Sequence, residues 1–164
     1  MRGAKIVVVG RGEAGKSTLI RKLAPHSMNL EVGGRTIALD HGMLVRNGDS
    51  ISLVGVPGQE RFAAVREVLV AGARAAVWVH PQGEAPDAGT AELLAGSSAA
   101  ALPYIVYVNQ RGGGAPVAFR APSAVPKPRH VVFGDLSSRE DNLQLLEGLL
   151  WSLVMKLDSG SSEE

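Results

Sequence analysis

The chain contains no cysteine. Disulfides, thiolate metal sites and cysteine nucleophiles are therefore excluded together, and a reducing compartment is the expected setting. Aromatic residues make up only 4% of it. Neither charge sign dominates: 17 Lys and Arg stand against 16 Asp and Glu, a formal net charge of +1. That balance leaves no electrostatic footprint for duplex nucleic acid or an anionic membrane surface, so neither is expected as a partner. Long apolar runs are missing too. The longest near the start, Ile6 to Val9, is too short for a signal-peptide core, and no stretch approaches a membrane span. No acceptor for myristoylation or prenylation is present at either end. A cytoplasmic protein without a membrane anchor is expected.

What is present suits one domain. Hydrophobic residues are 45% of 164, enough for a single substantial core. Glycine and proline are frequent, at 20 and 9 residues. The expected organisation is one folded domain over residues 1–157 and a disordered polar tail over 158–164.

Ile6-Val7-Val8-Val9 is a β-branched run of the kind that forms a parallel strand buried on both faces. Gly10 to Gly15 then forms a turn-rich loop, and Lys16 to Leu23 a helix that Pro25 stops. Residues 26–35 read as loop. Ile37 to Val45 and Ile51 to Val56 flank Arg46-Asn47-Gly48-Asp49, so Asn-Gly predicts an antiparallel hairpin. A helix over Phe62 to Ala71, a strand over Ala75 to Val79, and an alanine-rich helix over about Asp87 to Ala101, interrupted by Gly96, follow. Tyr104 to Val108 is another buried strand, residues 111–128 are too rich in glycine and proline for a helix, and Val131 to Phe133 is the last strand. Ser137-Ser138-Arg139-Glu140 reads as a capping box before a helix whose stripe is Leu143, Leu146, Leu149, Leu150, Leu153, Val154 and Leu157. This alternation predicts an α/β fold in three layers: a mostly parallel six-stranded sheet with one antiparallel strand, and helices on both faces.

Gly10-Arg11-Gly12-Glu13-Ala14-Gly15-Lys16-Ser17 matches G-x-x-x-x-G-K-[ST] at the end of a strand and the start of a helix. Glycines let successive amides turn toward an anion, and the helix adds its free N-terminal amides and positive dipole end. Lys16 is then placed as a point charge on the β- and γ-phosphates, and Ser17 as a magnesium ligand. The same glycines satisfy G-x-G-x-x-G, but a dinucleotide site would need a parallel second strand ending in an acid. Here the next strands form a hairpin, Asp40 lies inside a run, and Lys16-Ser17 would be unexplained.

With Pro57-Gly58-Gln59-Glu60-Arg61-Phe62 beyond the third strand, the chain resembles the small GTPases of the Ras superfamily. The wording of Thr36 to Gly42 and of Val56 to Phe62 is most similar to the prokaryotic Ras-like GTPases. These include relatives of the gliding-motility GTPases, often paired with roadblock-type partner proteins. The resemblance implies a GTP/GDP-controlled switch with slow Mg2+-dependent hydrolysis. It implies phosphate contacts from Gly10, Gly12, Glu13, Ala14, Gly15, Lys16, Ser17, Thr18 and Gly58, and metal contacts from Ser17 and Thr36. Catalysis would fall to Lys16 and to Gln59, which orients the attacking water. The base would meet Asn109, Gln110, Asp135 and Leu136. Expected partners are the guanine nucleotide and a roadblock-type regulator or GTPase-activating protein.

The pattern is eroded in two places. Gly55 stands where D-x-x-G has its aspartate, and Asn109-Gln110-Arg111-Gly112 stands where the family has N-K-x-D. Gly134-Asp135-Leu136-Ser137 replaces its Ser-Ala-Lys segment, leaving Asp135 as a stand-in for the lost acid or as plain loop chemistry. Arg11, Arg35 and Arg61 lie near the loops without an assigned role. Two rival readings stay open: a degenerate binding module working through a roadblock-type partner, and a P-loop protein accepting ATP or several nucleotides.

Overall fold

The computed structural model describes residues 3–24, 30–32, 35–37, 40–57, 63–96 and 102–161, with backbone alone for 30–32, 35–37, 63–66 and 161. Its main sheet is six-stranded, in the order β4-β5-β1-β6-β7-β8. These strands are β1 (Gly3–Val9), β4 (His41–Arg46), β5 (Asp49–Gly55), β6 (Ala75–Pro81), β7 (Tyr104–Asn109) and β8 (His130–Gly134). Every neighbouring pair is parallel except β4 with β5. That exception is the hairpin the Asn-Gly pair predicts. Arg46 faces Asp49 across the turn, and both Asn47 (φ 52°) and Gly48 (φ 84°) occupy the left-handed region that a two-residue turn demands.

Side-chain alternation along the central strands divides the core into two layers. On one face Ile6, Val8, Leu53, Val77 and Ile105 pack with α1 (Lys16–Leu23) and α4 (Leu143–Ser161). On the other, Val7, Val9, Val54, Trp78, Val106 and Val108 pack with Leu69 of α2 (Ala63–Val70) and Leu94 of α3 (Ala88–Ala95). Strands β6 and β7 are buried along their whole length, as near-continuous apolar runs in a covered parallel sheet must be. Trp78 and Trp151 are both core residues. Phe119 sets the edge of its ring against Trp78 at 5.2 Å, so the proline-rich segment after β7 is pinned as a cover over the second layer.

Five local expectations are corrected. Residues 26–35 are not all loop: β2 (Leu30–Val32) pairs antiparallel with β3 (Arg35–Ile37), a separate ribbon bracketing Gly33-Gly34. The long strand expected from Ile37 therefore begins at His41 instead. Helix α3 ends at Ala95, because Gly96 takes φ 74° and leaves the helical path. The capping box does not cap α4. Asp135 takes the Ser137 hydroxyl, Asn142 has φ 53°, and the Asp141 carboxylate accepts the Leu143 amide instead. Nor do residues 158–161 form a disordered tail, since α4 runs through Ser161 and Asp158 pairs with Arg74 at 2.9 Å. The stripe from Leu143 to Val154 is buried as its period requires, with Leu149 and Leu157 half-buried beside it.

Candidate functional site

All the chemistry-bearing loops leave the same end of the sheet, beyond the C-terminal ends of β1, β5, β6, β7 and β8. In open α/β sheets that edge is where ligands bind.

The loop between β1 and α1 is backbone-lined and tightly fitted. Gly10 (φ 149°) would place a Cβ 2.6 Å from the Val79 carbonyl oxygen, so no side chain fits there. Gly15 (φ 112°) is the N-cap of α1, and a Cβ on it would meet Leu136 Cδ1 at 2.8 Å. Ala14 is buried, whereas Gly12 and Glu13 face outward, Glu13 with φ 65°. No side chain caps α1 and no acid sits in its first turn, which leaves its leading amides and dipole to act on an anion. Lys16 folds over this loop, its Nζ donating to the Gly10 carbonyl at 2.6 Å and the Arg11 carbonyl at 2.8 Å. Burial lowers the pKa of the Lys16 ammonium, while Asp87 and Asp40 oppose that shift. An under-neutralised cation above a ring of amides is an anion-binding arrangement. Arg11 points elsewhere, in a salt bridge to Glu84 at 2.9 Å.

Ser17, the next residue, donates its hydroxyl to the Asp40 carboxylate. Sequence reasoning missed Asp40. It stands just before β4, and its carbonyl accepts the Gly55 amide at 2.8 Å. A Cβ on Gly55 would lie 3.3 Å from the Asp40 carbonyl oxygen and 3.4 Å from its Cβ. A carboxylate absent at position 55 is thus present just before the adjacent strand, where a side chain at position 55 would crowd it. Only the pairing of β4 with β5 brings the two together, so no linear motif could have disclosed it.

Across the loop, Asn109 is buried at the end of β7 and bridges two segments. Its Nδ2 donates to the Ala14 carbonyl at 3.2 Å, and its Oδ1 accepts the Leu136 amide at 3.2 Å. Gln110 turns to Gln82 and the Gly114 carbonyl, each at 3.3 Å. Lys22 of α1 holds the segment after β8, donating to the Leu136 and Ser138 carbonyls at 3.0 Å and pairing with Asp141 at 2.7 Å. Thr18 is half-buried on α1. The backbone of Thr36 lies in β3 opposite Glu31. Gly58, Gln59 and Arg61 lie outside the described residues, as do the side chains of Thr36 and Arg35. Among the described residues no group of three or more His, Cys, Asp or Glu could hold a metal ion. None of the described helices is long and apolar enough to cross a membrane.

Residues 5–110 match the sequence pattern of the 50S ribosome-binding GTPase family. The chain belongs to that family. An uncharacterized protein of Methanocaldococcus jannaschii is 30% identical over 106 residues, 65% of this chain and 69% of its own length. Among solved structures, the G domain of the T. maritima FeoB iron transporter superposes with a TM-score of 0.63 at 18% identity, covering 93% of this chain and 98% of that one. Era of Aquifex aeolicus, bound to GDP and an aluminium fluoride, gives 0.66 at 15% identity over 93% of this chain and 57% of its own. A bacterial selenocysteine-specific elongation factor gives 0.70 at 15%, over 95% of this chain and 29% of its own. At these identities the structural likenesses show the fold alone, that of the P-loop GTPases. Together with the family membership, they make this GTPase-family member a GTP-binding P-loop protein.

Proposed function

We propose that this GTPase-family member is a nucleotide switch that binds GTP and GDP with Mg2+ and hydrolyses GTP slowly in the cytoplasm. The observation that carries this reading is the half-buried Lys16 ammonium lying over the Gly10–Gly15 loop, beside the Ser17–Asp40 pair. Phosphate oxygens would draw Nζ from the two carbonyls it now contacts, and the leading amides of α1 would complete the cradle. Gly10, Gly12, Glu13, Ala14, Gly15 and Thr18 supply backbone to that cradle, and Gly58 an amide to the γ-phosphate.

Ser17 and Asp40 offer a hydroxyl and a carboxylate in mutual contact, hard oxygen donors that suit Mg2+. The residues therefore fit the ion, with Thr36 joining them on the strength of the resemblance. Bound there, Mg2+ would offset the charge of the β- and γ-phosphates. Asp40 is the carboxylate that orients this corner in place of the one absent at position 55. Gln59 both donates and accepts, so it can hold the attacking water in line. On the base side, Asn109 locks the phosphate loop to the Leu136 segment, which with Gln110 lines the place where a base would lie.

Arg11 is engaged by Glu84, which leaves transition-state charge without a described arginine. Turnover by the isolated chain should then be of the order of 10⁻⁴ per second, with acceleration left to a GTPase-activating or roadblock-type partner.

Titration with labelled GDP, GTP and ATP, with and without Mg2+, tests the reading on wild type and on Lys16→Ala. Guanine-selective, Mg2+-dependent binding that weakens at least a hundredfold in the variant is expected. Equal binding by both proteins would end the switch reading.

A further inference from the structure

Guanine presents two donors side by side, N1–H and the 2-amino group, where adenine presents an acceptor and a carbon. A carboxylate accepts both donors at once and has nothing to offer adenine. The position expected to carry that carboxylate is Gly112, which has φ 81° and open space around its missing Cβ. Discrimination therefore needs an acid from another segment.

Among the described residues, Asp135 is the carboxylate beside this place. Asp135 is the first residue after β8, in register with the loop that follows Asn109 because Asn109 pairs with Gly134. Its Oδ1 accepts the Ser137 amide at 2.9 Å and the Ser137 hydroxyl at 2.5 Å. The Gln110 amide donates to the Gly134 carbonyl at 2.8 Å, which sets Asp135 beside the loop that carries the bare position. Apart from the Ser137 bonds the group is open to solvent, and the nearby Gly112 amide favours its anionic form. These bonds, with Lys22 in the background, hold its carboxyl below the usual carboxylate range, so it is an anion at neutral pH.

Its neighbours are otherwise committed. Asp141 is taken by Lys22 and the Leu143 amide, and Glu84 by Arg11. Asp40 and Asp87 face Lys16 and Ser17 on the phosphate side. The next residue, Leu136, is the one Asn109 ties to the phosphate loop, so Asp135 keeps a set distance from wherever the phosphates sit. Gln110 is turned away toward Gln82, leaving the approach to Asp135 open.

We propose that Asp135 is the specificity-determining residue for the base, reading the N1–H and 2-amino group of guanine from the β8 side of the site. The inference rests on the nucleotide-binding reading above and adds the source of its guanine selectivity. Ser137 is its positioning group: it aims the carboxylate without touching the ligand.

Xanthine tests this, because it carries a carbonyl where guanine carries the 2-amino group. An amide at position 135 would accept from N1–H and donate to that carbonyl. The full chain, wild type and Asp135→Asn, is titrated with the diphosphates of guanosine, xanthosine and adenosine in Mg2+, with thermal melting as a control. Wild type should prefer guanosine diphosphate. The variant should lose at least tenfold for guanosine diphosphate and gain at least tenfold for xanthosine diphosphate, with unchanged melting in the absence of nucleotide. Guanosine diphosphate binding within twofold of wild type, or equal losses for both purines, would overturn the assignment. Lys16-dependent binding of all three nucleotides with equal affinity would overturn it while sparing the nucleotide-binding reading. Failure of wild type to bind any of them would overturn both.

Discussion

The clearest residue-scale feature is an acid that stands beside the motif position instead of on it. Asp40 lies next to Gly55 at the start of the β4–β5 pairing, and a side chain at position 55 would crowd it. Asp40→Asn keeps the size and the contact to Ser17 but removes the charge that favours a divalent cation. The Mg2+ concentration for half-maximal GDP retention should rise at least tenfold, while nucleotide affinity in excess chelator changes little. Moving the acid back, with Asp40→Gly and Gly55→Asp together, should recover much of the loss, since the first change clears the space the second requires. An unchanged Mg2+ requirement in Asp40→Asn would make the Ser17–Asp40 bond structural only. In the linear sequence Asp40 is one acid inside an apolar run. Lys16 and Ser17, by contrast, announce themselves, because their chemistry depends on neighbours within eight consecutive residues.

At the scale of elements, α1 joins the phosphate side to the base side. Its first residue lies over the glycine loop, and Lys22 near its end holds the segment after β8 by three partners. Lys22→Met retains the stem and removes those bonds. With one side chain partly exposed, the cost should be about 1–2 kcal/mol in chemical denaturation. Nucleotide dissociation should also quicken several-fold, because the Leu136 segment loses its tether. If stability falls and dissociation does not change, that tether plays no part in binding. The misreading at α4 has the same origin. Ser137 to Glu140 has the composition of a capping box, but Asp135, two residues earlier, competes for the same hydroxyl and holds it in a turn. Local pattern rules treat the serine as free, and here a nearer acceptor takes it. The β2–β3 ribbon escaped notice because each strand is only three residues long, too short for a period to show.

For the whole molecule, acidification should be the first stress to show. Burial lowers the pKa of His41 and of His80 below the ordinary value, and among the described residues His41 Nδ1 is buried without a hydrogen-bond partner. Above about pH 6.5 both imidazoles are neutral in the folded and unfolded chain, and their burial carries no charging cost. As pH falls below that value the unfolded chain takes up protons that the folded one resists, so stability declines. Thermal melts between pH 7.5 and 5.5 should show this loss, and His41→Gln with His80→Gln should flatten it. A melting temperature that holds or rises over that range would rule out both histidines as the cause. The sequence by itself determined the order of the main-sheet strands and the helices, the glycine loop between β1 and α1, the hairpin and the apolar stripe of α4. Each is a matter of period, turn chemistry or steric reach within a few residues, which a linear chain records directly. Tertiary structure alone decided that Asp40 stands beside Gly55 and Ser17, and that Asp135 stands beside the loop after Asn109. Those contacts are made between strands and loops far apart in the chain, and sheet register, which no local rule encodes, brings them within hydrogen-bonding distance.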